Sequence, residues 1–190
     1  MDTFLPDGYE PPKTSSRYTK FEEWKQIRLR ILTFPILGWE FWNKTNPKEP
    51  KPVRYKYNVD NYKLAKQEAM NNPKLDDQRV NHFWAMVVWN YDTKQIEVCE
   101  IVQKTIQSAI RNYIEDKDYG NPLNYDIKIF KKKENDKVTY ETTPWLPKEI
   151  TDEVREEYLT NPVNLIALFY NADPFDTTWT IPPIDDWIPF

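Results

Sequence analysis

The chain has 190 residues, with 26 basic against 30 acidic side chains, a net charge of −4 and a pI near 5.2. That length suits one domain with a core and some appended segments. A hydrophobic content of 39% rules out a wholly disordered polymer, no apolar run approaches the roughly 20 residues of a membrane helix, and three glycines cannot build a Gly-rich phosphate cradle.

The first residues, Met1-Asp2-Thr3-Phe4-Leu5-Pro6-Asp7, carry acid where a secretory signal carries Lys or Arg, so a cytoplasmic setting is expected. The pattern Ile27-Arg28-Leu29-Arg30-Ile31 alternates apolar and cationic residues, which predicts a strand with an exposed arginine face. After Pro35, Ile36-Leu37-Gly38-Trp39-Glu40-Phe41-Trp42 predicts extended chain with a bulge at Gly38. Residues 44–80 are rich in lysine and punctuated by proline, and are expected to form a long basic insertion loop with one helical turn near Tyr62–Met70.

A hairpin follows, pairing Phe83–Trp89 with Gln95–Ile101 around the turn Asn90–Lys94. The lone cysteine, Cys99, falls inside it and is expected to be a buried small hydrophobe. Ile106, Ile110 and Ile114 recur at helical spacing, and the helix should stop before Asp118-Tyr119-Gly120-Asn121-Pro122. Two further strands, Tyr125–Phe130 and Val138–Thr142, are expected around a polar loop from Lys131 to Lys137. Beyond Pro144 one helix should bear Ile150, Val154 and Tyr158 on one face. A second is expected with Asn161 as N-cap and Pro162 at its first position.

Strand, long loop, strand, strand, helix, strand, strand is the element order of an OB-fold. The expected fold is therefore mostly β: a five-stranded barrel with a helix between strands 3 and 4 and a long basic insertion between strands 1 and 2. Residues 1–172 would form this domain with its C-terminal helices, and 173–190 an extended acidic tail.

Charge is segregated along the chain. Lys13 to Lys74 holds 14 basic and six acidic residues, whereas Thr151 to Phe190 holds one basic and eight acidic. Within the basic part, cations interleave with rings, the combination that holds single strands by phosphate neutralisation and base stacking. The candidate DNA-binding residues are Arg28, Arg30, Trp39, Phe41, Trp42, Lys51, Arg54, Tyr55, Lys56, Tyr57 and Trp84, the last predicted to face away from Phe83, Ala85 and Val87. Carboxylate pairs fall in predicted loops, at a helix end or in the tail, and His82 is the only histidine. No catalytic residue, metal site or cofactor is expected, and His82 reads as structural.

The last residues, Asp185-Asp186-Trp187-Ile188-Pro189-Phe190, combine acids with an apolar tip that suits a small pocket rimmed by basic residues. They resemble the tip of bacterial single-stranded DNA-binding proteins, which docks replication and repair enzymes. Phe83–Asn90, Ile96–Ile106, Asp118–Pro122, Tyr125–Ile127, Ser16–Tyr18, Ile36–Trp42 and Asn164–Phe169 resemble a family of bacteriophage OB-fold single-stranded DNA-binding proteins, across about residues 4–175. The resemblance implies a non-enzymatic protein of the host-cell cytoplasm that protects single strands in phage DNA replication, recombination and repair. It would recruit replication or recombination proteins through its tip, without a membrane, and homo-oligomers are compatible with it. The tail, opposite in charge to the basic part, is expected to compete with DNA for the groove. An OB-type adaptor or RNA-binding protein that uses the tail for docking is the alternative.

Overall fold

The computed structural model describes residues 16–43, 46, 48, 50–71 and 79–180. Seven strands form one antiparallel sheet: β1 (Gln26–Ile31), β2 (Ile36–Asn43), β3 (Lys51–Lys56), β4 (Asn81–Asn90), β5 (Gln95–Ile101), β6 (Asp126–Glu134) and β7 (Lys137–Pro144). Three α-helices accompany them: α1 (Val59–Met70), α2 (Lys104–Glu115) and α3 (Asp152–Thr160). The strand order is β3-β2-β4-β1-β6-β7, with β5 on β4, and among the described residues no pairing joins β5 to β7. The sheet is open.

β4 organises the fold. β5 pairs with Trp84–Asn90 along one edge, while β2 pairs with Asn81–Ala85 and β1 with Val88–Asn90 along the other. β1 and β2 thus act as one strand interrupted at residues 32–35. Because both faces of β4 are covered, its sequence reads as an almost unbroken apolar run. Met86 and Val88 pack with Ile27, Leu29, Ile31, Ile127 and Ile129 under Ile106 and Ile110 of α2. Phe83, Ala85, Val87 and Trp89 pack on the other face with Val98, Val154 of α3, and Leu165 and Leu168 of a short 3-10 helix, Leu165–Tyr170. Cys99 is buried, and burial pushes its thiol up to about 12, so it behaves as the small hydrophobe expected.

Several local expectations are corrected. The insertion at 44–80 contains β3 and α1, the latter started by Asn58, whose side chain accepts from Asn61 N at 2.6 Å. Gly38 is not a bulge, since its pairing runs without interruption from Lys56 on one side to Phe83 on the other. Lys131–Lys137 is mostly strand. Asn135 and Asp136, both at positive φ, close the β6–β7 hairpin in two residues. Ile114 is 49% exposed and does not join Ile106 and Ile110 in the core. The last helical turn is capped by Asn164, not Asn161: the Asn164 carboxamide oxygen accepts from Ile166 N at 3.1 Å. Residues just past 172 lie against the body, with Asn164 N donating to Pro174 O at 2.8 Å and Arg17 seated 3.9 Å over the Phe175 ring.

Candidate nucleic-acid interface

Strand register gathers an aromatic cluster where β2, β3, β4 and α1 meet. Trp39 on β2 is opposite Tyr55 on β3 and His82 on β4, while Leu37 is opposite Trp84. Period-2 alternation therefore sets Trp39, His82 and Trp84 on one face. Tyr57, just past β3, stacks on Trp39 with ring centroids 5.5 Å apart and planes at 27°. Tyr62 of α1 lies 4.6 Å from Trp39, and His82 lies 5.0 Å from both Trp39 and Tyr57. Trp84 extends the series, edge-on to His82 at 6.5 Å.

The cluster is held from beneath. Trp39 Nε1 donates to Asn58 O at 3.0 Å, and the Asn61 side chain donates to Lys56 O at 2.9 Å, which fixes the first turn of α1 to the end of β3. Ala65 and Ala69 are small enough to let α1 settle onto Phe41, and that contact sets Tyr62 over Trp39. Tyr57 is 55% exposed, and Lys66 Nζ lies 5.7 Å from the Tyr62 ring. Burial lowers the pKa of His82, which favours the neutral imidazole. His82 Nε2 and Trp84 Nε1 are buried polar atoms without a hydrogen-bond partner.

The expected residues do not form one groove. Trp39, Tyr55, Tyr57 and Trp84 share the cluster face, where the Tyr55 hydroxyl donates to Glu68; burial and that bond push its pKa up to about 12. Phe41 is core beneath α1. Alternation puts Arg54 and Lys56 on the opposite face of β3, and Arg54 is bonded to Glu100 at 2.8 Å and Glu40 at 3.3 Å. Trp42 is exposed there and lines a groove of about 480 Å³ with Lys51, Arg54 and Tyr18.

Arg28 and Arg30 occupy a third place. Their face of β1 is not free, because both converge on Asp126 of β6, which is fully buried. Arg30 is 1% exposed; its Nε donates to Asp126 Oδ1 at 2.5 Å and its Nη1 to Lys148 O at 2.9 Å. Arg28 Nε donates to Asp126 Oδ2 at 2.8 Å, and the Tyr91 hydroxyl donates to Asp126 Oδ1 at 3.2 Å. A buried carboxylate demands such partners, so Arg30 is committed to the fold and Arg28 retains part of its surface.

Tyr62 and His82 are cluster members beyond those that the sequence predicts. His82 is two residues from Trp84 on the same strand, a spacing that places it on the same face. Tyr62 carries no equivalent signal, because the lysine-rich stretch around it has little helical patterning. The docking residues Asp185, Asp186, Trp187, Ile188, Pro189 and Phe190 lie outside the described residues.

Together these features define a mostly-β protein with an open antiparallel sheet and an aromatic cluster on one of its faces. No helix among the described residues is long and apolar enough to cross a membrane. Comparison with protein-family models, curated proteins and solved structures gives no match.

Proposed function

We propose that this chain binds single-stranded DNA with little sequence preference, through the cluster of Trp39, Tyr57, Tyr62, His82 and Trp84. The observation that carries the reading is the cluster itself. Five rings lie within 6.5 Å of their neighbours, with Tyr57 more than half exposed. Rings of this kind stack bases irrespective of identity, at about 1–3 kcal/mol per base.

Two features of the fold support it. With β1 and β2 taken as one interrupted strand, the order β1/β2, β4, β5, α2, β6, β7 follows the OB arrangement, with the helix between strands 3 and 4 and β3 and α1 as the insertion between strands 1 and 2. In that arrangement oligonucleotides bind across strands 2 and 3 and the adjoining loops. Here α3 and residues 165–170 cover one face of β4 and β5, and the cluster lies on the other face, at the start of β4 beside the insertion.

In this reading the chain protects single strands during phage DNA replication, recombination and repair, and Asp185–Phe190 dock partner proteins. The test is titration of the full chain with oligo-dT, followed by tryptophan fluorescence. Quenching with an affinity that falls as salt rises, at about 0.7 in log–log slope per phosphate neutralised, is expected. A flat salt response with unchanged fluorescence would overturn the proposal. Tighter binding to a matched RNA would favour the RNA-binding alternative.

A further inference from the structure

Two grooves adjoin at Ile31 and Leu123, and Trp84 of the cluster lines the first of them. The first, about 260 Å³, is almost wholly apolar and lies at the break between β1 and β2, lined by Trp84, Phe34, Ile114, Ile31 and Leu123. The second, about 740 Å³, shares Ile31 and Leu123 with it and is lined also by Lys148. Trp84 therefore belongs both to the aromatic cluster and to the first groove, and Lys148 lines the second.

Lys148 opens onto a patch of cations and rings that no short sequence pattern marks. Its Nζ lies 5.2 Å from the Tyr91 ring centroid, and the Arg28 guanidinium lies 4.4 Å from the same ring and 5.6 Å from that of Trp145. Lys128 Nζ lies 3.4 Å over the ring of Trp145, a residue 43% exposed. Of the carboxylates here, Asp126 is sealed beneath the patch and faced by Arg28, Arg30 and Lys148, and Glu149 lines the second groove. Positive charge is in excess at the surface.

We infer that Arg28, Lys128, Lys148, Tyr91 and Trp145 form a second subsite for the same single strand, reached from the Trp39–Trp84 cluster past the two adjoining grooves. The inference rests on the nucleic-acid reading of that cluster. A short oligonucleotide is satisfied at the rings, and a longer one runs past Trp84 and Ile31 to place its phosphates at the cationic patch. Cations interleaved with aromatic rings suit a phosphodiester backbone with adjacent bases. The intervening apolar groove offers contact without base-specific hydrogen bonds, in keeping with weak sequence preference.

The test compares the full-length wild type with a Lys128→Gln/Lys148→Gln variant and with Lys128→Arg. The probes are oligo-dT of about 5 and about 20 nucleotides, spanning the site sizes of about 4–16 known for one OB domain. With two phosphates no longer neutralised, the double variant is expected to bind the longer probe about tenfold more weakly near physiological salt, with a salt slope shallower by about 1.4. It should bind the shorter probe as wild type does, and Lys128→Arg should keep the affinity for the longer one. Equal weakening on both probes, or an unchanged affinity and slope on the longer one, overturns the second subsite and leaves the cluster standing. Failure of the wild type to bind either probe overturns both.

Discussion

Arg30 Nε lies 2.5 Å from Asp126 Oδ1, and neither side chain reaches solvent. Removing one partner of such a pair leaves an uncompensated buried charge, which costs about 3–5 kcal/mol. Asp126→Ala is therefore expected to destabilise the fold by about that much in urea unfolding, the more so because Arg28 and Tyr91 lose their acceptor too. The double variant Arg30→Met/Asp126→Leu should recover part of the loss, since an apolar pair can replace a buried ion pair at little cost. A loss below about 1 kcal/mol for Asp126→Ala would place the pair in contact with water.

Gly38 has no room for a side chain. A Cβ at this position would fall 2.4 Å from the Phe83 ring and 2.5 Å from Tyr55 O, and the carbonyl cannot withdraw without breaking the β2–β3 ladder. Gly38→Ala is expected to cost about 1–3 kcal/mol through overpacking. Circular dichroism melting against wild type measures it, and an unchanged melting temperature would contradict the tight seat.

The hairpin of β4 and β5, the amphipathic start of α2 and the strand nature of β1, β2, β6 and β7 are legible in the sequence because each is coded by alternation or helical spacing within a short window. The site is legible only in part, because alternation says which residues share a face and not what covers it. Trp39, Tyr57 and Trp84 remain on one surface, whereas the fate of Arg30 depends on Asp126, 96 positions away. Arg54 likewise finds Glu100 through tertiary packing, 46 positions on. α1 is hard to read because its apolar face is two alanines and its cap is an asparagine in a lysine-rich stretch, a weak signal until Phe41 supplies the surface it packs on.

The Arg54 network carries a pH signature. Burial raises the pKa of Glu40 above its ordinary value of 4.5, with the Arg54 charge opposing that rise. The folded state therefore holds the Glu40 proton more tightly than the unfolded chain does. Its contribution is fully present below about pH 4.5 and is lost as pH rises through the folded value. Arg54→Met removes the opposing charge, so the decline should extend to higher pH and grow larger, while Glu40→Gln should abolish this component. Urea midpoints from pH 4 to 8 test the sign; a midpoint that rises over this range in Arg54→Met relative to wild type would reverse it.

The aromatic cluster and the Trp42 groove lie on opposite faces of β2, so substitutions separate them cleanly. Tyr57 is more than half exposed and bears on Trp39 alone among the tryptophans, so Tyr57→Ala should change stability by less than about 1 kcal/mol. If a base stacks at this ring, the same change weakens oligo-dT binding by about 1–3 kcal/mol, roughly five- to 150-fold, and Tyr57→Phe restores it because the ring face is what the base uses. Trp42→Ala, on the other face, should leave affinity within about twofold of wild type. Fluorescence titrations of the three variants decide the matter. A loss confined to Trp42→Ala would move the strand to the groove of Tyr18, Lys51 and Arg54, where a phosphate would have to displace the carboxylates that Arg54 already holds.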